Sequence, residues 1–140
     1  METRVALIGS IVEQESANDG ERPMIAGMYL NRLHSGMKLQ ADPTVKFALK
    51  NFALRRIMHK HLAVNSPYNT YMYEGLPIGP ICIPSIASIN AVLNYAHHDY
   101  LYMCAKEDFS GTHNFATTYE EHLQNAKRYA EALNKRGIKE

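Results

Sequence analysis

Val5-Ala6-Leu7-Ile8-Gly9-Ser10-Ile11-Val12-Glu13-Gln14-Glu15-Ser16 is the stretch from which the fold reads outward. Ile8, Ile11 and Val12, with Val5 and Leu7 beside them, recur at helical spacing, so a helix is expected from Val5 to Glu15. With Ile8 as origin and about 100° per residue, Ile11 falls at about 300°, Val12 at about 40° and Glu15 at about 340°. Glu15 therefore points along the apolar face, at its C-terminal end. Glu13, at about 140°, is expected to face solvent. A lone carboxyl among apolar neighbours loses hydration, which raises its pKa. The negative end of the helix dipole pushes the same way. That is the preparation a general acid needs. The plainer reading is that Glu15 pairs with a buried arginine, Arg22 or Arg32, or simply emerges at the helix end.

Beyond this helix, Ser16 to Gly20 is a turn cluster. Asp19 is the expected N-cap of a second helix, with Pro23 in its tolerant first turn. Ile25, Met28, Tyr29 and Leu33 share one side of that helix, which stops near Gly36. Asp42-Pro43-Thr44 reads as a cap with Pro at N1 of a short helix through Leu49. Leu54 to Ala63 is basic and compatible with a helix, and Ser66 to Tyr73, rich in Tyr and Thr, reads as extended. Gly75 to Pro80 forbids regular structure and suits the wall of a groove. Ser85 caps a helix to Tyr95, Tyr100 to Cys104 and His113 to Ala116 read as strands, and Thr117 or Thr118 caps a last helix to about Asn134. The expected class is α+β: mostly helical, with a small β-sheet, in a single domain.

The chain has 140 residues, 46% hydrophobic and 21% charged, which is globular composition in one domain's length. Fifteen Lys and Arg against fourteen Asp and Glu leave +1, too little for nonspecific nucleic-acid binding. No apolar run is long enough to span a membrane, and no signal peptide is visible. Cys82 and Cys104 match no metal spacing, and the seven histidines form no HxxH or HExxH pattern. No metal site and no cofactor are expected, and no phosphate-binding or α/β-hydrolase motif is present.

Three further groups are candidates for binding. Gln40, Asp42 and Thr44 offer polar groups around a helix N-terminus, suited to hydroxyls or an anion. A plain capped turn is the competing reading. Tyr68, Asn69, Thr70 and Tyr71 carry the amide and aromatic groups common in sugar sites, or form an ordinary strand. His113 and Phe115 share a strand face, where a satisfied histidine is the ordinary outcome. The basic run Lys50, Arg55, Arg56, His59, Lys60, His61 reads as a solvated face, with an anionic polymer partner as the alternative.

An ordered series of blocks carries a resemblance: Ser10-Ile11-Val12-Glu13-Gln14-Glu15-Ser16, Glu21-Arg22, Asn31-Arg32-Leu33, Gly36 to Thr44 (GMKLQADPT), Ser66 to Tyr71 (SPYNTY) and Gly75-Leu76-Pro77. Gly79-Pro80-Ile81, Tyr100-Leu101-Tyr102, His113-x-Phe115 and Glu121-His122 continue it. The set resembles the catalytic domain of the endolytic murein transglycosylases of the MltG (YceG-like) family, over nearly the whole chain. The resemblance implies cleavage of the β-1,4 bond between N-acetylmuramic acid and N-acetylglucosamine without water, leaving a 1,6-anhydro end. It places the catalytic role on Glu15, the second Glu of the E-x-E pair. It also implies a glycan groove containing Gln40, Asp42, Thr44, Tyr68, Asn69, Thr70 and Gly79. Peptidoglycan strands are the implied partner, with peptidoglycan synthases beside them. Residues 1–140 would be the catalytic piece of a longer protein, held outside the cytoplasmic membrane by an N-terminal helix. The loop departs from the family's common GLPPGPIxNPG at Ile78, Ile83 and Ser85. A glycan-binding module without catalysis, and a hydrolytic muramidase using Asp42 as second carboxylate, are the competing expectations.

Overall fold

In the computed structural model, which describes residues 2–138, the first apolar stripe forms helix α1 (Glu2–Glu15), one turn earlier than expected. Ile8, Ile11 and Val12 are fully buried in the core it shares with helix α2 (Arg22–His34) and helix α5 (Ile86–Leu93). Ser10 lies in this apolar interface because both its needs are met. Its hydroxyl donates to Leu7 O (2.8 Å) and accepts from Ile81 N–H (3.1 Å), pinning the loop before α5 to α1.

Helix α2 starts differently from the expectation. The chain caps it at Glu21, whose N–H is taken by the Asn18 side chain (3.2 Å). Asp19 instead receives an ion pair from Arg22 (2.8 Å). Pro23 does sit in the first turn, and Gly36 ends the helix in the left-handed region at φ +71°. Gly27 is where α2 meets the 96–98 segment. A Cβ there would lie 2.2 Å from Ala96 O and 2.8 Å from His98 Nε2.

Helix α3 (Asp42–Ala48) begins at Ala41, an extended N-cap without a side-chain cap, so Asp42 is already inside the helix and does not cap it. The basic stretch is not the helix its composition suggests. Only α4 (His59–Leu62) is helical there, and the rest is loop. Residues 66–73 are a run of turns, not a strand. The reason is Asn69, 1% exposed: its amide donates to Leu62 O (2.9 Å) and Val64 O (2.8 Å), and its carbonyl accepts from Tyr71 N (2.9 Å). A side chain that bonds three backbone groups replaces the strand ladder.

Ser85 caps α5 as expected, accepting from Ser88 N. Strands β1 (Tyr102–Ala105) and β2 (His113–Ala116) pair antiparallel, with Tyr102 opposite Ala116 and Ala105 opposite His113. Helix α6 (Tyr119–Lys135), capped by Thr118 through Glu121 N–H, packs on this hairpin. The result is the α+β, mostly helical arrangement, with one two-stranded sheet among the described residues. Cys82 and Cys104 are free thiols. No helix of the described residues is long and apolar enough to cross a membrane.

Candidate active site

The C-terminal end of α1 opens onto a cavity of about 670 Å³. The start of α3 and the 55–59 loop form one side, and β1 with α6 forms the other. Glu15 lines the cavity and is partly buried. Burial lifts its carboxyl to about 7; nearby His113 and a hydrogen bond from Tyr29 oppose that rise, and the charge of Asp42 adds to it. The Tyr29 hydroxyl donates to Glu15 Oε2. Neither arginine that might have neutralised Glu15 reaches it. Arg22 pairs with Glu13 (3.2 Å) and Asp19, and Arg32 donates to Leu101 O (2.6 Å) and Lys38 O.

Glu13 corrects the helical-wheel expectation. It does not simply face solvent but sits where α1, α2 and α5 meet. Its Oε1 accepts from Ser85 N–H and the Ser88 hydroxyl, both at 2.8 Å. Hydrogen bonds from Ser85, then Ser88 and the Arg22 charge, hold its carboxyl at about 2 against the opposing effect of burial. The N-terminal end of α5 favours that charge. Two carboxylates two residues apart are thus set about five pKa units apart (about 7 against about 2), which divides them into a proton carrier and a permanent anion.

Asp42 lines the same cavity, accepting a 2.6 Å hydrogen bond from the Tyr71 hydroxyl. Burial raises its pKa, and the Tyr71 bond and Lys46 restrain the rise. Gln40 stands exposed at the cavity edge with φ +49°, its N–H bonded to Thr70 O (3.2 Å).

The other expected groove residues lie behind the wall. Thr44 is fully buried; its hydroxyl donates to Ala41 O (2.7 Å) and meets Thr70 Oγ1 (2.8 Å). Thr70 Oγ1 in turn accepts from Ala41 N–H (2.9 Å). Asn69 is consumed by its three backbone bonds. Tyr68 packs on Phe47 (centroids 4.7 Å apart) and against Gly79, where a Cβ would come within 3.1 Å of its hydroxyl. Thr44, Tyr68, Asn69, Thr70 and Gly79 therefore do not line the cavity, because their polar groups or faces are used inside the fold.

Tyr29 was the residue composition hid: on the helical stripe it looks like core. Its hydroxyl was the available signal, since a buried tyrosine needs a partner. His113 proves more than an ordinary strand histidine. Its Nδ1–H donates to Glu21 Oε2 (2.9 Å) and its backbone N–H to Glu21 Oε1 (2.6 Å), and the residue lines the cavity. Glu21 also takes the Ser16 hydroxyl (3.1 Å), one residue from Glu15. Among the described residues no group of three or more His, Cys, Asp or Glu is placed to hold a metal ion.

An open cavity lined by a carboxyl lifted to about 7 and by a second, buried one, in an α+β domain, defines a candidate acid–base site. Comparison with known proteins gives it a lineage. The chain belongs to the YceG-like family, whose model matches residues 2–128. It is 35% identical over 133 residues to an endolytic murein transglycosylase of Bacillus subtilis (strain 168), covering 95% of this chain and 36% of that protein. A Streptococcus pneumoniae (serotype 2, strain D39) protein of the same name is 32% identical over 126 residues, covering 87% of this chain and 23% of the relative. The chain thus spans about a third or less of these relatives' length. The crystal structure of a YceG-like protein from Listeria monocytogenes matches with a TM-score of 0.77 and 42% identity, over 84% of this chain and 38% of that one.

Proposed function

We propose that this domain is an endolytic peptidoglycan lytic transglycosylase with Glu15 as its single general acid and base. The observation that carries this reading is Glu15 itself: desolvated, bonded among the described residues by a tyrosine hydroxyl and by no arginine, and titrating near 7 inside a cavity of ligand size. The names of the Bacillus and Streptococcus relatives support the substrate class.

The chemistry balances with one carboxyl. Protonated Glu15 gives its proton to the glycosidic oxygen, and the bond from that oxygen to muramyl C1 breaks. The muramyl C6 hydroxyl then bonds to C1, and its proton passes to the Glu15 carboxylate. The product is a 1,6-anhydro end, and Glu15 is ready again. A hydrolase needs a second carboxylate for water or for a covalent intermediate; here the nucleophile belongs to the substrate. Gln40, with Asp42 held by Tyr71, borders the glycan, while Thr44, Tyr68, Asn69, Thr70 and Gly79 hold the wall in shape behind them. In the whole protein, a membrane anchor and neighbouring peptidoglycan synthases would place this site on the extracytoplasmic face.

A second reading has three observations in its favour. Asp42 does not cap α3, shares the cavity, and is close enough for its charge to act on Glu15. A muramidase using both carboxylates is therefore the competitor. Mass spectrometry of products from polymeric peptidoglycan separates them. Anhydro ends from the unsubstituted chain, reduced at least ~10²-fold by Glu15→Gln, are expected. Reducing ends would overturn the transglycosylase and point to Asp42.

A further inference from the structure

Arg32 is 5% exposed and has no carboxylate partner among the described residues. That is unusual, because buried charges are paired. Its Nε–H donates to Leu101 O (2.6 Å), Nη1 donates to Lys38 O, and the guanidinium lies over the Tyr102 ring at 5.1 Å. Those are neutral partners, and Nη2 has no hydrogen-bond partner among the described residues. The side chain lines the cavity. Lys46 and Arg55 line it further out, also with no carboxylate at ion-pair distance among the described residues. Arg56, beside them, donates among the described residues to the neutral Asn134 Oδ1 (2.7 Å) and Ile138 O (3.1 Å). The ion pairs described for arginines, those of Arg22 with Glu13 and Asp19 and of Arg128 with Glu107, are made elsewhere.

Glu15 and Asp42 line the same cavity and feel the Lys46 charge, but two carboxyls do not balance the four basic side chains Arg32, Lys46, Arg55 and Arg56, and a glycan whose lactyl groups are amide-linked to stems carries no charge on its sugars. The forked end of a guanidinium fits a carboxylate with two parallel hydrogen bonds. We propose that Arg32 at the cavity floor, with Lys46 and Arg55 toward its rim, forms a carboxylate subsite that recognises the peptide stem of the glycan strand. This rests on the peptidoglycan reading above and adds to it a substrate preference: strands whose stems keep free carboxylates over strands whose stems are amidated. The basic stretch that composition assigns to a solvated face becomes the outer lip of that subsite.

The test is a binding measurement, so it does not depend on turnover. The 140-residue chain carrying Glu15→Gln is titrated calorimetrically with three ligands. These are a murein tetrasaccharide with its stems, a chitin tetrasaccharide, which has neither stems nor lactyl carboxylates, and the stem-bearing sugar with its carboxylates amidated. The chitin and amidated ligands are expected to bind at least ~10-fold more weakly, the scale of a lost charge-assisted pair. Arg32→Lys, which keeps the charge and loses the fork, is expected to weaken the stem-bearing ligand alone. A Lys46→Gln/Arg55→Gln double variant does the same at the rim and carries the test if Arg32→Lys fails to fold. Equal affinity for all three ligands, no binding of the stem-bearing one, or equal weakening of all three by the rim variant would overturn the proposal. Failure of the transglycosylase reading shows separately, as reducing ends or no products from the unsubstituted chain.

Discussion

Two glutamates separated by a single residue show how little sequence distance says about chemistry. Glu15 is lifted to about 7 and Glu13 held at about 2, and the difference lies in what each meets. Because the acid must start protonated, kcat/KM is expected to fall as pH rises through about 7, read from a pH–rate profile. Tyr29→Phe removes a bond that favours the charged form, so this limb should move upward by about half a unit to one unit. An unmoved limb would deny Tyr29 that role. Glu15 was legible because 100° arithmetic needs only local sequence. Glu13 was not: its partners Ser85 and Ser88 are more than seventy positions away in the chain, and no periodicity carries that information. Arg32 was legible only as a buried arginine, and its partners are carbonyls, which every residue has.

Among the elements, helices with strong apolar stripes and side-chain caps were readable, and so was the hairpin. Segments shaped by one side chain's bonds to backbone were not. The 66–73 block has the Tyr and Thr content of a strand, yet Asn69 turns it back on itself. Asn69→Ala strands buried backbone groups and is expected to cost about 3 kcal/mol, measured by urea unfolding. Activity should fall with it, since the wall behind Gln40 and Tyr71 is loosened. A second element-level outcome concerns α2. Gly27→Ala pushes a methyl into Ala96 O, and the Asn31 and His98 bonds that fix this crossing must shift. A loss of about 1 to 3 kcal/mol is expected, of the size seen for overpacking a tight contact. An unchanged melting temperature would mean that the crossing relaxes at no cost.

At the scale of the whole molecule, the two glutamates give opposite pH dependence to stability. Glu13 has a folded pKa below its ordinary 4.5, so its contribution is present above about 4.5 and fades as pH falls toward about 2. Glu15 has a folded pKa above 4.5. The stability that goes with its protonated form is complete below about 4.5 and is lost as pH rises through about 7. Glu15→Gln, which leaves an oxygen for Tyr29 to donate to, is therefore expected to stabilise the fold at pH 8, by about 2 kcal/mol, and to change little at pH 4. Melting curves at the two pH values check it. A domain made more stable by deleting its acid would show that the site is kept at a cost to the fold.

One carboxylate ties the two sides of that molecule together. Glu21 holds the first residue of β2 by both its backbone and its ring, and it also holds the hydroxyl of Ser16, the neighbour of Glu15. The hairpin and the acid hang from one hinge pin. Glu21 thereby sets the spacing between the hairpin that helps wall the cavity and the residue beside the proton.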